Sequence, residues 1–227
     1  KVNKTRKGHG MKTLLVAINS QYIHSNHAVW CLKAACDNQC GEVKVVEYSI
    51  NEPLERVFAG IAAESPDVAA FSCYIWNIEK VVKTAADLKK AFPGIVIVMG
   101  GPEVSFEDGG LAFSRGCADY IIAGEGEEKL RFLLKRLSEG SVPNEEEIKW
   151  LGSFSVIPCM DSLPSPYRYI ARGSLKNRIA YIEASRGCPF KCAYCISSIT
   201  DGVRTLSLGK VGEALEILVE SGSKIIK

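Results

Sequence analysis

Residues 185–195 read SRGCPFKCAYC, with Cys188, Cys192 and Cys195 in a CxxxCxxC spacing. Thiolates are soft ligands that suit zinc or iron–sulfur clusters. A structural zinc site needs a fourth cysteine or histidine. No such residue follows Cys195, and the nearest upstream, Cys159, lies across an expected strand. A loop of this spacing directly after a strand is expected to hold its sulfurs a few ångströms apart. Three thiolates leave one iron of a cubane open, a position for substrate or cofactor. The other cysteines are scattered. Cys31 and Cys36 are five residues apart and point roughly 140° from each other on a helix. With Cys40 they read as small buried apolar residues.

Elements must position that loop. The runs MKTLLVAI (11–18), EVKVVEYS (42–49), DVAAFSCYI (67–75), IVIVMGG (95–101) and ADYIIAG (118–124) read as five strands. They are continuous apolar runs, as expected where both faces of a sheet are covered. Between them stand helical patterns: HAVWCLKAACDNQ (27–39), EPLERVFAGIAAES (52–65), NIEKVVKTAADLKKAF (77–92), a short helix or turn at 108–116, and GEEKLRFLLKRLSEG (126–140). Strand–helix alternation of this kind predicts an α/β fold, a doubly wound five-stranded parallel sheet of Rossmann or flavodoxin type. Ligands on such sheets sit at the carboxyl ends of the strands, here the loops NSQYIHS, SCYIWN, GGPEVS and GEGE. None of these is a dinucleotide fingerprint or a P-loop.

From 140 to 176 prolines and carboxylates accumulate, and regular structure is not expected to persist. The segment reads as a linker, lying on a partner surface. RIAYIEAS (178–185) reads as a new strand, SLGKVGEALEILVESG (207–222) as a helix, and SKIIK as a further strand. The expected organisation is a flexible tail at 1–10, a sheet domain at 11–139, a linker at 140–176 and a second domain beginning at 177–227.

The 227 residues are 47% hydrophobic and 24% charged, with a net charge of +2. That composition is globular and gives no footprint for nucleic acid or an anionic membrane. No run reaches the roughly 18 apolar residues of a membrane span. A cytoplasmic location is expected, with the nine cysteines reduced.

GCPFKCAYC resembles the radical S-adenosylmethionine (SAM) signature, CxxxCx(aromatic)C, with Tyr194 in the aromatic slot and Arg186-Gly187 ahead of it. A five-stranded doubly wound domain directly before it is similar to the cobalamin-binding domain of the cobalamin-dependent radical SAM family. The resemblance implies a 4Fe–4S cluster held by Cys188, Cys192 and Cys195, with SAM on the fourth iron and Tyr194 at its adenine. It implies cobalamin against the strand-end loops: Ser20, Gln21, Tyr22 and His24; Ser72, Tyr74 and Trp76; Gly100, Gly101, Pro102, Glu103 and Val104; Gly124, Glu125, Gly126 and Glu127. It implies an electron donor such as flavodoxin or ferredoxin, and methyl transfer from methylcobalamin to a substrate radical, or a ring-forming reaction. The Asp-x-His-x-x-Gly motif that supplies a cobalt ligand is absent. His24 and His27 lie in the corresponding loop without its Asp or Gly, and His9 is the remaining histidine.

Other readings are a stand-alone corrinoid carrier, a zinc knuckle at 188–195, and a receiver domain. The last is disfavoured because strand one ends in AINSQ without paired carboxylates. A β/α barrel needs on the order of 200 residues. Residues 177–227 are therefore expected to form only its beginning, poorly packed or paired with a second copy along open strand edges.

Overall fold

The computed structural model describes residues 10–37, 40–106 and 116–227. The turn expected at 108–116 and the tail at 1–10 fall almost entirely outside them. Five parallel strands form the main sheet: β1 (Lys12–Asn19), β2 (Glu42–Ser49), β3 (Val68–Ser72), β4 (Val96–Gly100) and β5 (Tyr120–Ile122). Their order is β2-β1-β3-β4-β5, the flavodoxin arrangement, with its switch point between β1 and β3.

Alternation along β1 shows why the sheet is covered twice. Leu14, Val16 and Ile18 pack on one face with Val57 and Ile61 of α2 (Leu54–Glu64) and with Val81, Ala85 and Leu88 of α3 (Ile78–Ala91). Leu15 and Ala17 pack on the other with Val29 and Cys36 of α1 (His27–Cys36) and with Leu130, Leu133, Leu134 and Leu137 of α4 (Glu127–Ser138). Both sets must be apolar, which is why the strand reads as one unbroken apolar run.

Residues 140–176 carry more structure than expected. A helix, α5 (Glu145–Gly152), starts at a capping box in which the Asn144 side chain accepts from the Glu147 N–H and Glu147 accepts from the Asn144 N–H. This signal stands in the sequence as NEEE, where the neighbouring proline obscured it. The Lys129 side chain is buried and donates to the carbonyls of Ala123, Leu151 and Ser153, tying α5 to the end of β5. Beyond α5 the chain crosses α1. Tyr167 lies tilted against His27 with centroids 5.4 Å apart, and Tyr169 stacks on Trp30 at 6.3 Å.

The expected strand at 178–185 is divided. β6 (Ile179–Ala180) pairs in parallel with β9 (Ile225–Ile226), while β7 (Ser185–Gly187) pairs antiparallel with β8 (Val203–Thr205), a strand the sequence reading missed. Helix α6 (Leu208–Glu220) joins a small core of Tyr167, Leu175, Ala180, Ala214 and Leu218. Its outer face is open, with Leu208 88% exposed.

Candidate functional site

A cavity of about 1070 Å³ opens at the carboxyl ends of β1, β3, β4 and β5. Its floor is the switch point, and its far wall is the segment Tyr181–Arg186 leading into the cysteine loop. The cavity brings together Ser20, His24, Ser72, Tyr74, Trp76, Gly100, Gly101, Pro102 and the whole of Gly124–Glu127.

Buried amides hold this floor. Asn77 accepts from the Tyr74 N–H and donates to the carbonyls of Ile18 and Ser72, fixing the turn after β3. The turn presents Tyr74 and Trp76 as a parallel stack with centroids 4.5 Å apart and planes 4° from coplanar. Asn26 caps α1 by accepting from the Val29 N–H and reaches Asn19 and Ser72. Glu47 accepts from Asn19, from the Trp30 indole and from Arg178, so β2 is tied to the residues ahead of β6. His24 completes that junction: its Nδ1 lies 2.5 Å from the Tyr181 hydroxyl.

Five expected residues stand elsewhere. Val104 is 1% exposed in the core under β4, because the 3-10 turn Pro102–Val104 rotates it away from the cavity. That same turn leaves Glu103 in solvent. Gln21 forms an exposed turn whose carbonyl accepts from the His24 N–H. Tyr22 lies over the Arg178 guanidinium at 5.8 Å. Tyr194 is 92% exposed, beyond the cavity rim.

The cysteine loop lies beside the cavity, with Cys192 exposed and Cys188 and Cys195 half-buried. Its sulfurs do not all fall within 4.8 Å of one another. Among the described residues the group that does so is His27, Cys31 and Glu183. In a cubane each cysteine holds a different iron, so convergence on one point is not required of 188–195. The three-donor group already faces a cation, since Arg186 donates to Glu183 at 2.8 Å. Burial pushes the His27 imidazole below its ordinary value and the Cys31 thiol well above its own, leaving both neutral.

Glu125 and Glu127, at the end of β5, face Arg186 and Arg204. Burial would push the Glu125 carboxyl up. Hydrogen bonds from Arg204 and the Ile157 N–H, together with the Arg186 charge, outweigh it and hold the group below the usual carboxylate range. A carboxylate depressed on folding stabilises fully above its unfolded value, 4.5 here, and loses that stabilisation as pH falls through its lower folded value. The expected result is a thermal midpoint that drops on acidification below pH ~4.5, with a smaller drop in Glu125→Gln. Parallel pH profiles of the two proteins would exclude Glu125 as the titrating group.

Residues 13–134 match the family described as the B12 binding domain. The chain belongs to that family. Its B12-binding domain is therefore the main sheet with α1–α4, and the cavity stands where this fold takes ligands. Among curated relatives, 2-(S-pantetheinyl)-carbapenam-3-carboxylate methyltransferase of Streptantibioticus cattleyicolor is 30% identical over 199 residues, 76% of this chain and 29% of that protein. The cobalamin-dependent radical SAM methyltransferase TokK of Streptomyces tokunonensis is 32% identical over 163 residues, 63% of this chain and 23% of that one. The chain thus spans less than a third of these relatives. Of solved structures, the radical SAM methyltransferase TsrM of Kitasatospora setae with cobalamin and a 4Fe–4S cluster bound superposes with a TM-score of 0.69 at 16% identity, over 94% of this chain and 46% of that one. The fold of both parts of the chain therefore recurs in a radical SAM enzyme. No helix among the described residues is long and apolar enough to cross a membrane.

Two cofactors can be tested against the residues present. For a corrinoid, the B12-binding domain offers a roomy crevice, a flat aromatic stack and backbone-lined edges at Gly100, Gly101, Gly124 and Gly126, and these fit a large planar ring. For a cluster, three accessible or half-accessible thiols on one loop match the donor chemistry, whereas Cys31, Cys36, Cys40, Cys73 and Cys117 are buried.

Proposed function

We propose that this chain is the corrinoid-binding part and first barrel unit of a cobalamin-dependent radical SAM enzyme of the methyltransferase type. Cobalamin would occupy the cavity, and Cys188, Cys192 and Cys195 would hold a 4Fe–4S cluster whose open iron takes SAM. When bound, these groups supply a 5′-deoxyadenosyl radical and a transferable methyl group. The observation that carries this reading is the shared wall. Segment Tyr181–Arg186 lines the cavity and runs within two residues into Cys188.

The chain's own residues bind and orient. Tyr74 and Trp76 give an apolar face for the corrin. The glycine backbones let its edge approach. A hydrogen bond between the Tyr181 hydroxyl and His24 Nδ1 at the far wall keeps the imidazole oriented. An electron for the cluster would come from a small redox protein such as flavodoxin or ferredoxin, in a reducing cytoplasm. A second reading, a corrinoid carrier without the radical step, draws on the family match, which ends before the cysteine loop.

The test is anaerobic purification and loading with iron, sulfide and hydroxocobalamin, followed by absorbance and electron paramagnetic resonance. A corrin band that survives gel filtration, with a reduced-cluster signal that changes on adding SAM, is expected. A corrin band without cluster uptake selects the carrier reading. No retained corrin band sinks the assignment of the cavity.

A further inference from the structure

Cys188 and Cys195 belong to a loop hung from the β7–β8 ribbon. Arg186 of β7 and Arg204 of β8 stand directly opposite each other in its register. Like charges facing across two strands repel and destabilise the pairing unless something neutralises them. Two carboxylates of the B12-binding domain do so. Arg186 reaches Glu127 Oε1 at 2.6 Å, Glu183 Oε2 at 2.8 Å and Glu125 Oε2 at 3.3 Å. Arg204 clasps both oxygens of Glu125 at 2.7 and 2.9 Å and donates to the Ile157 carbonyl at 2.6 Å. The contacts are enclosed: the Arg186 and Glu127 side chains are 12% and 6% exposed. Surface ion pairs contribute little, but breaking an enclosed one leaves an uncompensated charge and is costly.

We propose that Glu125 and Glu127 anchor the cysteine loop to the B12-binding domain through this arginine pair, with Arg186 and Arg204 as positioning residues that set the thiols beside the cavity. Glu125 is shared by both strands, so it holds the ribbon closed as well as docked. One short stretch, Gly124–Glu127, then serves two ends: its glycines line the cavity and its carboxylates hold the loop.

The proposal takes its catalytic meaning from the cluster reading above, but its test does not need a cluster. The full chain, reduced and metal-free, is pulsed with iodoacetamide, and each cysteine is followed by mass spectrometry in wild type, Arg186→Gln, Glu125→Gln, the double variant and Arg186→Lys. Alkylation of Cys188 and Cys195 is expected to rise about ten-fold over wild type in Arg186→Gln and in Glu125→Gln, as local opening becomes easier. Each single leaves one clasp in place, Arg204 on Glu125 or Arg186 on Glu127, so the double variant should rise further than either, and Arg186→Lys should fall between wild type and Arg186→Gln. Cys36 and Cys73, fully buried in the sheet domain, should stay protected throughout. Unchanged rates at Cys188 and Cys195 overturn the proposal. So does acceleration of the core thiols in step with the loop in Arg186→Lys, which would mark a general loss of stability. In loaded protein, Arg186→Gln should broaden the reduced-cluster resonance, while its Lys counterpart restores the narrow signal. If wild type takes up no iron, the cluster reading fails and the alkylation result still decides the anchor.

Discussion

Gly124→Ala is expected to lower unfolding free energy by about 2–4 kcal/mol and to abolish corrin retention. Gly124 has a φ of +75°, a left-handed conformation that alanine resists. A Cβ there would also lie 2.3 Å from the Ser155 carbonyl oxygen and 2.7 Å from its nitrogen. Both are backbone atoms and cannot swing aside. The Ser155 carbonyl accepts from the Glu125 N–H at 2.9 Å, and Glu125 in turn accepts from the Ile157 N–H at 2.7 Å. Displacing that segment therefore moves Glu125, and with it the cavity rim and the hold on Arg204. Gly140 isolates the steric part, because it has a similar φ of +73° with nothing within 4 Å of its Cβ position. Gly140→Ala should cost only the conformational strain, about 1 kcal/mol, and retain corrin. Urea unfolding and a hydroxocobalamin titration of both variants measure this. Equal stability losses in the two would show that the approach to Ser155 carries no weight.

Cys192→Ala is expected to remove the reduced-cluster signal and the bound iron while leaving the corrin band in place. A three-thiolate cubane that loses one ligand leaves two irons without protein donors. Cys192 does not line the cavity, so corrinoid binding should be indifferent to it. Cys159→Ala is the matched control. That thiol is also exposed and free, but it stands outside the CxxxCxxC spacing, and its loss should leave the signal intact. A full-intensity signal in Cys192→Ala would remove the loop from any role as a cluster site. Zinc in place of iron in wild type would favour the knuckle reading.

The flavodoxin-like sheet was largely legible. Unbroken apolar runs such as LLVAI can be satisfied only by a strand covered on both faces, and helical spacing between them leaves few alternatives. Glycine pairs at strand ends marked where a backbone could be approached. The small pieces were not legible. Ile179–Ala180 and Ser185–Gly187 belong to different ribbons although they share one apolar-looking stretch, because strands of two or three residues carry too little pattern. Val104 was read with its glycine neighbours as a rim residue. The turn that follows Gly101 sends it into the core instead, and nothing local in GGPEVS announces that rotation.

The sequence by itself determined the doubly wound class, the strand-end location of a ligand site and the three-thiol loop. Each of these depends on local pattern: an unbroken apolar run, a period of 3.6, a glycine that must stay small, or cysteines three and four apart. Only the tertiary structure decided that β1 and β3 form the switch point, and that Tyr181 reaches His24 across 157 residues. The same holds for the anchoring of Arg186 and Arg204, 59 and 79 residues from their carboxylates. A charged side chain carries no mark of its partner in the sequence, and burial chooses that partner only once the strands have stacked.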